Sequence, residues 1–139
     1  MNEALYDKAI MRLAADAAGA GRLAGATGSA TVHNPMCGDR ITIDVATAEG
    51  KVTAVSQEAK ACLLCQAAAS LICSAAIGRD VRQLSGLKDE IEAWLLRGQA
   101  MPAAWTGLAA FAAVAKARSR VRCVTLPFEA LAKALEPTS

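Results

Sequence analysis

Five cysteines are spread over this 139-residue chain, and three of them stand where thiol chemistry, more than packing, decides the role. Cys37 lies in the turn His33-Asn34-Pro35-Met36-Cys37-Gly38-Asp39, where proline fixes one dihedral and glycine frees another. Cys62 stands at the first turn of an expected helix. Cys123 follows the basic stretch Lys116-Ala117-Arg118-Ser119-Arg120-Val121-Arg122 and precedes the expected last helix. All three therefore sit at element ends, where side chains can converge. The positive end of a helix dipole favours thiolate, the form that binds metal and attacks sulfur. Asp39, two residues after Cys37 across a glycine, offers an oxygen to the same centre. Three sulfurs and one carboxylate would satisfy a tetrahedral zinc ion or leave a labile position on an iron–sulfur cluster.

The remaining candidates read more plainly. Cys73, among Leu71, Ile72 and Ile77, is a small buried hydrophobe by its setting. Cys62-Leu63-Leu64-Cys65 is a CxxC, but a zinc ribbon wants a second one and the chain has none. A thioredoxin-like pair wants a βαβ context, which an antiparallel hairpin does not supply. Cys65 thus reads first as a core residue, with a CxxC thiol-redox module as a weak alternative. His33, the only histidine, reads as a turn residue although it lies four positions before Cys37. The basic run reads as a solvated face. In its functional reading, Arg122 and Arg40 stabilise thiolates and help dock an acidic partner patch.

The elements that must position these residues follow from periodicity. Leu5, Ile10 and Leu13 make an apolar stripe over a helix at 2–18, and a Gly/Ala-rich loop runs from Gly19 to Gly28. A short strand starts at Ser29–Val32. Ile41-Thr42-Ile43-Asp44-Val45 alternates strictly, and Glu49-Gly50 turns the chain into Val52–Val55, giving a half-buried hairpin. From Cys62 to Gly78 the chain is apolar nearly all round, so this helix belongs at the centre of the fold. Leu84, Leu87, Ile91, Trp94 and Leu95 predict one helix ending at Gly98. Pro102 opens the next, carrying Trp105, Leu108, Phe111 and Val114, and the last helix follows Pro127. Trp94, Trp105 and Phe111 read as core. The sum is an α+β domain spanning 1–139.

Composition sets the outer limits. The chain is 54% apolar but only 4% aromatic, so its core consists of many small contacts. A net charge of +2 gives no case for nucleic acid or a membrane surface. No apolar run approaches the roughly 20 residues of a membrane span, and the N-terminus has no secretory pattern. An odd cysteine count forbids complete intrachain pairing, and a reducing cytoplasm is the expected setting.

Three segments in order resemble the IscU/SufU (NifU N-terminal) family of iron–sulfur cluster assembly proteins. Asn34-Pro35-Met36-Cys37-Gly38-Asp39 resembles its NPxCGD. Ala61-Cys62, with Gln66-Ala67-Ala68-Ala69-Ser70-Leu71 and Ile77-Gly78-Arg79, resembles its GC-x-x-S-x-A-S-A-S helix and IxGK ending. Arg120-Val121-Arg122-Cys123-Val124-Thr125-Leu126, then Phe128-Glu129-Ala130-Leu131, resembles its R-x-K-C-x-x-L-x-W-x-A-L close. The resemblance implies a three-stranded antiparallel sheet packed against about five helices. It also implies a site of Cys37, Asp39, Cys62 and Cys123, and sulfur received from a cysteine desulfurase. IscU-type members build a [2Fe–2S] cluster on such residues for apo-proteins, whereas SufU-type members bind zinc and accept sulfur for the SUF assembly complex.

The departures favour the SufU type. Arg122 stands where the IscU type has a histidine, ARSRV stands where it has LPPVK, and the interval from Cys62 to Cys123 is long. Ala61 replaces the usual glycine, and Cys65 is an additional sulfur one helical turn from Cys62. The resulting expectation is a zinc-binding sulfur acceptor in which Cys37 attacks the desulfurase persulfide once a zinc ligand is exchanged, with Asp39 tuning that exchange. The alternative is a [2Fe–2S] assembly scaffold on the same residues.

Overall fold

Ile41, Ile43 and Val45, the apolar half of the alternating run, are all buried on one face of a strand, as a period of two requires. That strand is the middle one of three in a computed structural model that describes residues 7–36 and 38–136. The strands are β1 (Gly28–Asn34), β2 (Asp39–Ala48) and β3 (Lys51–Lys60), paired antiparallel in that order. Around them run α1 (Lys8–Asp16), α2 (Leu63–Ala75), α3 (Val81–Ser85), α4 (Leu87–Arg97) and α5 (Val121–Ala134). A 3-10 stretch at Thr106–Lys116 and a 3-10 turn at Arg118–Arg120 lead into α5. The α+β expectation holds.

The helices cover one face of the sheet. Nine of the thirteen residues of α2 are buried, the central position expected of a helix apolar all round. Phe128, Leu126 and Leu131 of α5 close the core from the other side. Gly28 shows how closely α5 approaches β1: a Cβ there would lie 2.0 Å from the Ala134 carbonyl oxygen. None of the described helices is long and apolar enough to cross a membrane.

The other face carries a strap. Asp44 points away from the helices yet is buried, because the segment before β1 folds over it. Arg22 donates to both Asp44 oxygens, Nε at 2.7 Å and Nη2 at 3.0 Å, while Ser29 and the Leu23 N–H donate as well. Behind it, Gly21 N–H donates to the Gln57 carbonyl and Gln57 N–H to the Gly19 carbonyl, stitching this segment to the edge of β3.

Four expectations are corrected. The helix placed at 2–18 runs from Lys8 to Asp16 with Asp7 as its N-cap; residues 2–6 of that expectation lie outside the described residues. The helix from Leu84 to Gly98 is two, divided at Gly86, with Asp80 capping the first and left-handed Gly98 ending the second. No α-helix opens at Pro102. Trp105, Leu108, Phe111 and Val114 are three residues apart and all buried, which is the period of a 3-10 helix, where residues i and i+3 eclipse. Finally, α5 begins at Val121, not after Pro127, so that Pro127 and Cys123 both lie inside it. Trp105 and Phe111 are core as expected, and Trp94 packs against the core while half-buried.

Candidate metal centre

The turn between β1 and β2 is tied by its own backbone. Asn34 and Asp39 face each other across the strands, Asn34 Oδ1 accepts from Met36 N–H at 3.1 Å, and Gly38 N–H donates to the Asn34 carbonyl at 2.8 Å. Gly38 has φ +75° with open space where a Cβ would stand, so the backbone conformation, not crowding, asks for glycine. Cys37, expected in this turn as a ligand and as the attacking thiol, lies outside the described residues.

Asp39 is the first residue of β2 and is turned inward, only 6% exposed. Its Oδ1 accepts the backbone N–H of Cys62 at 3.1 Å, fixing the start of α2 against the start of β2. Its Oδ2 is buried and has no hydrogen-bond partner among the described residues. A buried polar atom left so costs on the order of 1–3 kcal/mol, more when charged. Something outside the chain's described groups is therefore wanted at that oxygen.

Cys62 is the N-cap of α2 and half-buried, while Cys123, in the first turn of α5, is 3% exposed. With Asp39 they form a group whose ligand atoms all lie within 4.8 Å of one another, the only such group among the described residues. The Cys62 thiol is pushed strongly up from its ordinary range, first by its hydrogen bond with Cys123 and then by burial. The neighbouring Cys123 and Asp39 charges act in the same sense, and the Cys65 backbone hydrogen bond opposes them. Burial and the neighbouring groups thus disfavour the Cys62 thiolate, and a bound cation reverses that preference. The donor set, two sulfurs and an oxygen with one more ligand needed for a tetrahedron, fits zinc or a thiolate-ligated iron centre.

The other sequence candidates fall elsewhere. Cys65 is fully buried in the core and is outside the ligand group. Cys73 is buried too, its thiol pushed up to about 12 by burial alone. His33 is exposed and sits opposite Arg40 on the sheet face that points away from the helices. Arg122, expected to stabilise thiolates, instead bonds Glu129 at 3.0 Å, one helical face along α5. The unpartnered Asp39 oxygen was beyond sequence reasoning, since only the fold reveals which of its two oxygens is occupied.

With this geometry in hand, the chain can be set beside known proteins. The model of the NifU-like N terminal domain matches residues 5–124. The iron–sulfur cluster assembly scaffold protein IscU of Streptococcus pyogenes is 33% identical over 107 residues, 76% of this chain and 67% of that one. Its namesake in Thermotoga maritima is 29% identical over 136 residues, 97% of this chain and 95% of that one. Among solved structures, the N-terminal part of a nitrogen-fixing NifU-like protein from Brucella abortus superposes with a TM-score of 0.90 at 28% identity, covering 96% of this chain and 93% of that one. A Fervidobacterium islandicum protein described as a candidate cluster assembly scaffold for the SUF system gives 0.88 at 22% identity, covering 98% and 100%. At that identity the likeness speaks for the fold alone.

Proposed function

The chain belongs to the NifU N-terminal-like (IscU/SufU) family of iron–sulfur cluster assembly scaffolds, and we propose that within it this protein is a zinc-binding acceptor of persulfide sulfur. The observation that carries the reading is the inward Asp39, with one oxygen holding Cys62 N–H and the other buried beside two sulfurs. Cys37, two residues before Asp39 in the turn, is the fourth ligand in this reading. Cys37, Asp39, Cys62 and Cys123 together would hold zinc, which keeps the thiols ionised at neutral pH.

The chain's own residues do the rest. Asp39 braces the first turn of α2, so Cys62 is held in place by backbone and is not free to swing. Cys123 is fixed in a buried helix. Cys37, two residues before Asp39 in the sequence, is the thiol assigned in this reading to leave the set and act as nucleophile. Its thiolate attacks the outer sulfur of a desulfurase persulfide, R–S–S–H. A new bond forms to that sulfur, the donor's S–S bond breaks, and the electron pair departs with the donor thiolate. The proton stays on the transferred sulfur, and no net oxidation occurs. A carboxylate is a weaker zinc ligand than thiolate, so Asp39 eases ligand exchange during docking. Downstream apo-proteins or a SUF complex in the cytoplasm would take the sulfur onward.

Transfer of radiolabelled sulfur from cysteine through a desulfurase tests this. Cys37→Ser should lose the label that wild type carries as a reducible adduct; transfer at the wild-type rate by Cys37→Ser would remove Cys37 from the role. The second reading, assembly of a [2Fe–2S] cargo on the same four residues, is favoured by the scaffold names of the two IscU relatives. Anaerobic addition of iron and sulfide separates the two: a lasting chromophore supports the scaffold, and a colourless protein retaining one zinc supports the acceptor.

A further inference from the structure

The edge of β3 is stitched to its neighbours at two points and left open between them. At Gln57 the backbone N–H and C=O both face outward, to Gly19 and Gly21. At Ala61 the carbonyl faces the same way and accepts from Gln66 Nε2 at 2.8 Å. Alternate residues of a strand present their backbone groups to the same side, so the N–H and C=O of Ala59 face outward too. No backbone hydrogen bond outside the β2–β3 ladder engages Ala59 among the described residues. These groups form the floor of a cavity of about 390 Å³, walled by Ala14, Ala17, Ala20 and Gly21. Such a volume lies at the lower end of the roughly 300–1,000 Å³ typical of ligand sites.

Charge marks one end of the cavity. Arg40 and Lys60 line it and stand directly opposite each other across β2 and β3. Like charges so placed repel, and neither has an ion-pair partner among the described residues. Glu58 is the one acidic side chain in the lining, outnumbered by the two cations. The cationic end is the one nearest Cys62, two residues beyond Lys60.

We propose that this gap is a peptide-binding site: an extended segment of a partner protein bonds the outward N–H and C=O of Ala59, with an acidic side chain against Arg40 and Lys60. An open strand edge supplies backbone hydrogen bonds to any extended chain, and the wall facing it is made of the small residues Ala14, Ala17, Ala20 and Gly21. The two cations select an acidic residue. Because the edge is capped on both sides, the site takes a single paired residue and its neighbours, not a long strand. It requires no metal at the Asp39 group, so its test stands apart from the function proposed above.

The test uses the full chain, isotopically labelled, with the blocked peptide acetyl-Val-Ala-Val-Glu-amide as probe. Saturable amide shifts should appear at Ala59, Lys60 and Gly21, and the Ala59 amide should exchange more slowly with solvent when peptide is present. The Gln form of the peptide, Arg40→Gln, or added salt should each weaken binding several-fold. Ala59→Pro should weaken it about tenfold or more, since it deletes the donor, and an outward N–H is where a strand tolerates proline. Unchanged Ala59 exchange in wild type, or equal affinity for the Glu and Gln peptides, would overturn the proposal whether or not Ala59→Pro folds. Wild-type affinity in a folded Ala59→Pro would do the same.

Discussion

Asp39 Oδ1 accepts the backbone N–H of Cys62 at 3.1 Å across 23 residues of sequence, while Oδ2 of the same carboxylate is buried with no described partner. One side chain thus locks the start of α2 to the start of β2 and presents a second oxygen beside the Cys62 and Cys123 sulfurs. The two jobs can be separated by mutation.

Asp39→Asn keeps an oxygen for the Cys62 N–H but gives up the negative charge. The variant should fold with nearly the wild-type circular dichroism and bind zinc at least about tenfold more weakly, as metal-site changes of this kind do. Competition with a chromophoric chelator reads the affinity. Asp39→Ala should in addition lose stability, because the α2 N-terminus loses its acceptor.

The cysteines should divide by position. Cys62→Ser and Cys123→Ser remove sulfurs of the Asp39 group and should abolish stoichiometric metal binding. Cys65→Ala and Cys73→Ala, in the core, should keep one metal per chain and lose only the packing of a small buried side chain, on the order of 1 kcal/mol. Metal content after dialysis separates the two classes.

Metal binding to this centre should strengthen as pH rises. The metal-free Cys62 thiol is held well above its ordinary range, so it stays protonated at neutral pH and must release a proton on ligation. Calorimetry in buffers of different ionisation enthalpy should show protons released on zinc addition, fewer at higher pH. No proton release would contradict the electrostatics described.

The strap over the sheet should respond at the acid end. The Arg22 guanidinium, together with Ser29 and the Leu23 N–H, lowers Asp44 from 3.8 to about 2. Its folded pKa lies below its unfolded one, so the stabilisation is complete above about pH 4 and is lost as pH falls toward 2. The shift corresponds to about 2 kcal/mol. Urea unfolding between pH 5 and 2 should show that loss in wild type and a flatter profile in Asp44→Asn.

Much of this molecule could be read from the chain because its signals were local. The alternation at Ile41–Val45, the turn at Glu49-Gly50 and the apolar run after Cys62 became β2, the hairpin and α2. The misses came where one residue type serves two purposes. Pro127 favours a first turn, but here it stands inside α5, where its missing N–H withdraws a bond from the Cys123 carbonyl. Spacing of three at Trp105, Leu108, Phe111 and Val114 looked helical and was 3-10. Asp44 occupied the polar half of an alternating strand, so nothing nearby in sequence announced that Arg22 would bury it. The motifs singled out Asp39, Cys62 and Cys123, and the fold brings their ligand atoms together; that Arg122 would turn to Glu129 was not legible.

The central claim is that Asp39, Cys62 and Cys123, with Cys37, hold one metal ion. X-ray absorption at the zinc edge, on protein purified without added metal, tests it most directly. The expected shell is three sulfurs at about 2.3 Å and one oxygen at about 2.0–2.2 Å, falling to two sulfurs in Cys123→Ser if any metal remains. Metal-free protein that binds no zinc on titration, or a shell without sulfur, would contradict the account.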